Sequence, residues 1–242
     1  MNNQAERQGG RRHANVREAL LEAAEALFAE NGFSSVSVRD IARAADAHLG
    51  SVAYHFGTKA GLLREIYRRH CGPMNARRLE LLGEARRIHD PVERVQAIVR
   101  AYVVPAFSSL RDQAGGGARF TRLRAALSAE NNADARATIA EAFDATSHAF
   151  IDALHEAAPH LSRGDVVWRS HFLLGSLYYT LINPERVTRL SRGEADGGDA
   201  DAAVDEIVRV TTEGLLGRAA EGLMPAPGPP ARQAAAPAGA AD

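Results

Sequence analysis

Apolar residues recur at helical spacing from the beginning of the chain. Between residues 14 and 31 they fall on one face, at Val16, Leu20, Ala23, Ala24, Leu27 and Phe28. This stripe predicts an amphipathic helix over 14–31. The pair Asn31-Gly32 marks its end, because glycine accepts the left-handed backbone conformation that closes many helices.

Two shorter apolar patterns follow this helix. Ser37 and Asp40 have the spacing of a capping box, which predicts that a short helix starts at Ser37. A break at 46–48 separates it from a second short helix over 49–56. Two short helices joined by a tight turn form a helix-turn-helix, although many all-α domains contain similar helical corners.

From residue 58 to about 223 the chain continues as a series of helical patterns. Thr58 is a predicted N-cap for a helix over 59–71. Asp90 followed by Pro91 marks another start, because proline suits the first helical position, and Pro105 is expected to kink or end that helix. Further helical patterns occupy 118–129, 133–158, 165–183, 183–190 and 202–223.

The pattern as a whole predicts an all-α protein in two parts. A helix-turn-helix unit spans 14–58, after a flexible basic arm at 1–13. A larger helical domain spans 59–223, and its first helix, over 59–71, connects the two parts. Proline and alanine predominate over 224–242, which predicts a disordered tail.

Composition narrows the function classes. There is no apolar run long enough to span a membrane and no apolar signal region at the N-terminus. The single cysteine, Cys71, forms no disulfide within the chain and suits a reducing cytoplasm. Nine histidines occur without paired metal spacing, and no acid, base and nucleophile set is recognisable, so we expect no enzyme, metal or cofactor.

The second short helix, over 49–56, has an unusual outward face. Leu49, Val52 and Phe56 are predicted to point towards the preceding helices. The other side carries Gly50, Ser51 and Tyr54, flanked by Ala53 and His55. These residues are small or flat, and none is acidic, so a DNA backbone could approach closely and the helix could enter a major groove. The net charge of −1 does not by itself indicate nucleic acid.

Residues 26–63 closely resemble the N-terminal domain of TetR/AcrR-family transcriptional repressors. The shared positions are Phe28, Gly32, Phe33, Ser37, Val38, Ile41, Ala42, Ala45, Gly50, Tyr54, Phe56, Lys59 and Leu62. Two positions depart from the family pattern. Asp46 stands where the family usually has a turn glycine, and His48 stands where it usually has a capping Ser or Asn.

The resemblance implies a set of DNA contacts. Lys59, the only lysine of the chain, would bind a phosphate at a helix N-terminus. Arg11 and Arg17 would lie along the DNA backbone or in a minor groove. The other predicted phosphate contacts are Ser37, Tyr54, Thr58 and Arg12. Base readout is predicted for His48, Leu49, Gly50, Ser51, Ala53 and His55.

The larger half resembles the effector domain of PsrA-like members of the family, which respond to fatty acids or acyl-CoA. The matching words are "EAAP" at 156–159 and "WRSHFLLG" at 168–175. The resemblance implies a homodimer through about 165–183 and 202–223. It also implies an apolar pocket for a small hydrophobic effector, although ordinary core packing is the better prediction for each lining residue taken singly. The predicted lining residues are Tyr102, Phe120, Leu123, Phe143, Phe150, Trp168, His171 and Phe172.

The sequence therefore predicts a ligand-responsive, DNA-binding transcriptional regulator, a repressor released from a palindromic operator. The alternative is a helical dimeric ligand-binding or scaffold protein without sequence-specific DNA binding. Such a protein would not need a small, acid-free helix face followed by a capped lysine.

Overall fold

A computed structural model describes the backbone of residues 3–111 and 117–217, with the side chains of these ranges except 3–14, 109–111, 118 and 129. The described residues form ten α-helices and no strand, which confirms the all-α prediction. The helices are α1 (Asn3–Asn31), α2 (Val38–Ala44), α3 (Leu49–Phe56), α4 (Lys59–Ala85), α5 (Pro91–Arg111), α6 (Gly117–Ala129), α7 (Ala133–Ala157), α8 (Arg163–Ile182), α9 (Pro184–Leu190) and α10 (Ala200–Leu216). No described helix has the length and apolarity to cross a membrane. The predicted tail at 224–242 lies outside the described residues.

The local capping signals are confirmed. The capping box predicted at Ser37 starts α2, with Asp40 as its reciprocal partner. Ser162 and Asp165 have the same spacing in the sequence, and they form the capping box that starts α8. The Thr58 hydroxyl accepts the Gly61 N–H at 3.0 Å at the start of α4. Each of these caps depends on residues three positions apart, so the sequence alone specifies them.

The turn between α2 and α3 tolerates both departures from the family pattern. Asp46 adopts φ 49°, a left-handed conformation that Asp accepts more readily than most residues. His48 is the N-cap of α3, and its side chain makes no capping hydrogen bond. The helix start at Leu49 is therefore held by its neighbours rather than by a side-chain cap.

Two helix boundaries differ from the sequence prediction. The backbone is helical from Asn3 instead of forming a flexible arm over 1–13, because Gln, Ala, Glu and Arg extend a helix without an apolar stripe. At the other end, α10 stops at Leu216 rather than near 223, because Gly217 takes an extended conformation with ψ 138°.

Two prolines lie inside helices, Pro73 in α4 and Pro105 in α5. α4 continues from Lys59 to Ala85 through Pro73, well past the predicted end at residue 71. α5 continues through Pro105. A proline inside a helix costs about 3 kcal/mol. Burial of apolar residues on both sides, such as Ile66 and Leu82 in α4, offsets this cost.

The core runs without interruption from the helix-turn-helix into the larger domain. α1, α2 and α3 pack together with the beginning of α4 around Phe28, Ile41, Val52 and Leu62. Further along, α4 packs against α5 and α7, and α10 packs against α5 and α8. α4 therefore contributes to both parts and connects them physically.

Candidate nucleic-acid interface and effector domain

The outward face of α3 is exposed and carries no acid. Tyr54 is 77% exposed, while Val52 on the opposite side is 1% exposed. Leu49 was predicted to pack inward, but it is 50% exposed, because it starts the helix where no neighbour covers it. His48, Gly50 and Ala53 are also exposed, and Ser51 and His55 are partly exposed. The structure thus places the six predicted base-reading residues on or beside one accessible helix face.

Two of the side chains predicted to contact phosphate, Ser37 and Arg17, already bind other residues of the protein. The Ser37 hydroxyl donates its proton to the Asp40 carboxylate at 2.5 Å. A phosphate contact through Ser37 would therefore have to replace this hydrogen bond, beside a carboxylate that repels the anion. The Arg12 and Arg11 side chains lie outside the described residues. Arg17 pairs with Glu65 on α4, with its guanidinium 5.4 Å from the centre of the Phe56 ring.

Lys59 has a structural role that sequence reasoning missed. Its ammonium donates hydrogen bonds to the carbonyl oxygens of Phe33 and Val36, both at 2.8 Å. It also lies 4.3 Å from the centre of the Phe33 ring. Burial lowers the pKa of Lys59, and the nearby carboxylate of Glu130 opposes this shift. An ammonium has three donor protons, so one is left for a phosphate.

Glu130 joins the connection between α6 and α7 to the connection between α1 and α2. Its carboxylate accepts the backbone N–H of Phe33 at 2.6 Å and of Ser34 at 3.0 Å. It also accepts the Ser34 hydroxyl at 2.7 Å. A Cβ at Gly32, where φ is +79°, would lie 2.5 Å from the Glu130 carboxylate. No sequence signal identified Glu130, because its partners are almost one hundred residues away.

The predicted pocket residues separate into three groups. Tyr102, Phe150 and His171 line a small apolar cavity of about 140 Å³ between α5, α7 and α8. Phe120, Leu123 and Phe143 are buried in the core, with the Phe120 and Phe143 rings against the ring of Tyr67. Trp168 and Phe172 are each 63% exposed and lie neither beside this cavity nor in the core. α8 packs against α7 and α10, and these two rings lie on the side of α8 that faces away from both helices.

A larger groove runs between α4 and α5. Its volume is about 720 Å³, and Met74, Leu81, Val104 and Pro105 supply apolar surface. Ligand pockets in proteins commonly occupy about 300–1,000 Å³. A cavity of the size found beside Tyr102 instead suits a group about as large as benzene.

An apolar stripe on α8 faces outward. The side chains of Trp168, Phe172, Tyr179 and Ile182 are all exposed. Together with Gly175, these positions follow one another at intervals of four, three, four and three residues, so they share one face of α8. The rings of Trp168 and Phe172 stack at 6.0 Å. This spacing is the one that packs two helices side by side. Val210 on the neighbouring α10 is exposed as well.

Two segments of the chain match known protein families. Residues 20–66 match the family described as bacterial regulatory proteins, tetR family. Residues 100–214 match the tetracyclin repressor-like, C-terminal domain, so the two matches cover about two thirds of the chain. The chain belongs to the tetR family.

Individual relatives of this tetR-family protein are similar over parts of their length. The probable HTH-type transcriptional regulator YttP of Bacillus subtilis is 37% identical over 51 residues, which are 21% of this chain and 25% of YttP. The HTH-type transcriptional repressor KstR2 of Mycobacterium tuberculosis is 35% identical over 82 residues, 34% of this chain and 40% of KstR2. The chain thus spans less than half the length of these curated relatives.

A solved structure of another protein has the same fold, and nearly all of that protein aligns with this chain. FadR from Bacillus subtilis, in complex with stearoyl-CoA, aligns with a TM-score of 0.52 at 16% identity. The alignment covers 81% of this chain and 98% of that one. At this identity the likeness establishes the shared fold.

Proposed function

We propose that this tetR-family protein is a transcriptional repressor that inserts α3 into the major groove of an operator. The observation that carries the proposal is the exposed, acid-free face of α3, which ends beside the N-terminus of α4. The two relatives that match part of its sequence are described as an HTH-type regulator and an HTH-type repressor. Half-site recognition would fall to Leu49, Gly50, Ser51 and Ala53, with His48 and His55 at the margins.

The proposed phosphate contacts surround this face. Tyr54 is exposed on the face itself, and Thr58 and Lys59 stand at the start of α4, where free N–H groups add partial positive charge. Such contacts position the protein on the duplex without reading sequence. Binding should therefore weaken steeply as salt concentration rises.

The proposed assembly is a homodimer through α8 and α10. The exposed stripe of Trp168, Phe172, Tyr179 and Ile182 would be costly to leave in water, and a second copy of the same helix covers it by symmetry. Two copies of α3 would then meet two half-sites separated by whole helical turns, so the operator should be near-palindromic.

The proposed effector is a small molecule with an apolar body that releases the operator. Stearoyl-CoA is bound by FadR of Bacillus subtilis, which shares the fold, and this favours a fatty acid or acyl-CoA. The groove between α4 and α5 has the volume for such a body, whereas the cavity beside Tyr102 does not. Because α4 begins beside α3, a ligand that favours another position of α4 would change the spacing of the two heads.

The test is a charge placed on the α3 face. Ala53→Glu should weaken binding to a promoter fragment of the protein's own gene by about ten-fold or more, since a carboxylate then opposes a phosphate or a base acceptor. Ala76→Glu, on an exposed part of α4, is the matched control and should bind as the unchanged protein does. Fluorescence anisotropy measures affinity, and circular dichroism and sedimentation verify helicity and dimerisation. Equal affinity of the two variants would favour the ligand-binding or scaffold alternative.

A further inference from the structure

A histidine and a glutamate are buried together between α1 and α4. The exposed fractions of Glu25 on α1 and His70 on α4 are 7% and 5%. The Nε2 atom of His70 lies 2.9 Å from a carboxylate oxygen of Glu25, which is hydrogen-bonding distance. Buried ionisable groups in proteins are normally paired, and this pair joins the first helix of the DNA-binding part to α4.

The same histidine also lines the groove between α4 and α5. Among the α4 residues of the lining, His70 comes first along the helix, so it stands at the end of the groove nearest to the helix-turn-helix. Most of the lining is apolar, and its other polar side chains are exposed. Those exposed residues are Arg77, Glu84, Arg100 and Ser108. His70 is therefore the buried polar residue that a molecule in the groove would meet at this end.

One ring nitrogen of His70 has no hydrogen bond. The Nδ1 atom is buried, and it has no hydrogen-bond partner among the described residues. The ring is also packed against Phe120 of α6, with the two ring centres 4.6 Å apart. A buried polar atom without a partner is unfavourable, so a ligand group that bonds to Nδ1 would gain affinity from it.

The contact with Glu25 determines which chemistry Nδ1 offers. A carboxylate only accepts hydrogen bonds, so the proton between the two side chains belongs to Nε2 of His70. In the neutral imidazole the other nitrogen is then an acceptor. Nδ1 therefore suits a head group that has a donor proton, such as a hydroxyl or an amide N–H. A free carboxylate is disfavoured, because it has no such proton and Glu25 already places a negative charge beside the ring.

We propose that His70 binds a hydrogen-donating head group of the effector in the α4–α5 groove and transmits this binding to α1 through Glu25. Because Nδ1 is buried, the ring has to turn to meet the ligand, and the turn displaces Nε2 from Glu25. α1 then loses a contact that holds it against α4, so the ligand favours another position of the helix-turn-helix. The inference rests on the proposed function, because it names the head group and the coupling residue of the same effector site. Of the two effector classes named above it favours acyl-CoA, which carries amide N–H and hydroxyl groups.

Three probes of similar size separate the possible head groups. 1-Octanol has a donor proton, its isomer 1-methoxyheptane has none, and octanoate is an anion. In isothermal titration calorimetry on the full chain, 1-octanol should bind about five-fold or more tightly than the ether, as one added hydrogen bond in a buried site allows, and more tightly than octanoate. In nitrogen-15 NMR, the Nδ1 resonance of His70 should shift with 1-octanol and stay in place with the ether. Equal affinity of the alcohol and the ether, tighter binding of octanoate, or no binding of the alcohol would overturn the inference.

Variants of Glu25 test the chemistry and the transmission separately. Glu25→Gln introduces an amide that donates as well as accepts, so the ring can carry its proton on Nδ1, and the preference for the alcohol over the ether should fall about three-fold or more. Glu25→Met removes the hydrogen bond to His70. Saturating 1-octanol should weaken operator binding of the unchanged protein about five-fold or more in fluorescence anisotropy, and Glu25→Met should bind 1-octanol but lose most of this effect. Glu22→Gln, at an exposed position of the same helix, is the control and should change neither result.

Two results would contradict this assignment. An effect of 1-octanol on operator binding that survives in Glu25→Met would exclude transmission through Glu25. An unchanged preference for the alcohol in Glu25→Gln would exclude the role of Nδ1, and this test remains if Glu25→Met does not fold. Operator binding without any probe reports separately on the proposed function: its absence, with the alcohol still preferred, would refute DNA binding and leave the head-group site standing.

Discussion

Replacing Lys59 by methionine separates two roles of one side chain. The sequence predicts a phosphate anchor, whose loss would weaken DNA binding and leave the fold intact. The structure adds a fold-holding role, because the ammonium binds the carbonyl oxygens of Phe33 and Val36 at 2.8 Å each. Methionine keeps the apolar stem in place and removes both hydrogen bonds.

The expected loss of stability follows from those contacts. A hydrogen bond from a charged group contributes about 1.5–3 kcal/mol, and a partly exposed ammonium such as Lys59 belongs at the low end. Two such bonds give about 3 kcal/mol, and the contact with the Phe33 ring, 4.3 Å away, adds about 0.5 kcal/mol. The carbonyl groups of Phe33 and Val36 would be left without this hydrogen-bond donor, so we expect the loss in the free energy of unfolding to reach this total.

Urea denaturation followed by circular dichroism measures the stability, and operator binding at several salt concentrations measures the phosphate contact. Each lost phosphate contact should lower the slope of log affinity against log salt by about 0.9 per protomer. Arg43→Met, an exposed arginine on α2, is the control for stability. A stability loss below about 0.5 kcal/mol would refute the fold-holding role. An unchanged salt slope would refute the phosphate anchor.

Three further results are expected. Glu130→Gln should destabilise the protein by about 1–3 kcal/mol and speed amide hydrogen exchange at Phe33 and Ser34, because a carboxylate that accepts three hydrogen bonds is lost; unchanged exchange would contradict this. Trp168→Asp should raise the dimer dissociation constant at least ten-fold in sedimentation, while a variant that stays dimeric would exclude the α8 interface. Hydrogen bonds from Arg68, and then from Arg17, lower the pKa of Glu65 to about 2. Its contribution to stability is therefore present above pH 4.5 and lost as the pH falls towards 2, so Glu65→Gln should flatten the pH dependence of the unfolding midpoint in that window.

Local signals predicted the helices well. Capping boxes at Ser37 and Ser162, the Thr58 cap and the apolar stripe of α1 depend on residues a few positions apart, so the sequence contains all of their partners. The same holds for the small residues on the face of α3. The full extent of α4 and α5 was not predicted, because Pro73 and Pro105 lie in helices whose stability comes from packing against other helices.

The candidate site depended more on contacts between distant residues. The resemblance implied that Trp168 and Phe172 line an apolar pocket. The structure leaves both side chains exposed, and we propose that a second copy of the chain covers them. The hydrogen bonds of Lys59 and Glu130 cross 23 to 97 positions of sequence, and no local pattern indicates them.

By itself, the sequence determined the helical class, the helix-turn-helix and the small, acid-free face of α3, because each depends on periodicity and caps within one or two helices. Only the tertiary structure decided which side of α8 is open, what Lys59 holds, and that the Glu130 carboxylate accepts hydrogen bonds from Phe33 and Ser34. These features depend on which helices pack together, and packing brings together side chains that the sequence keeps far apart.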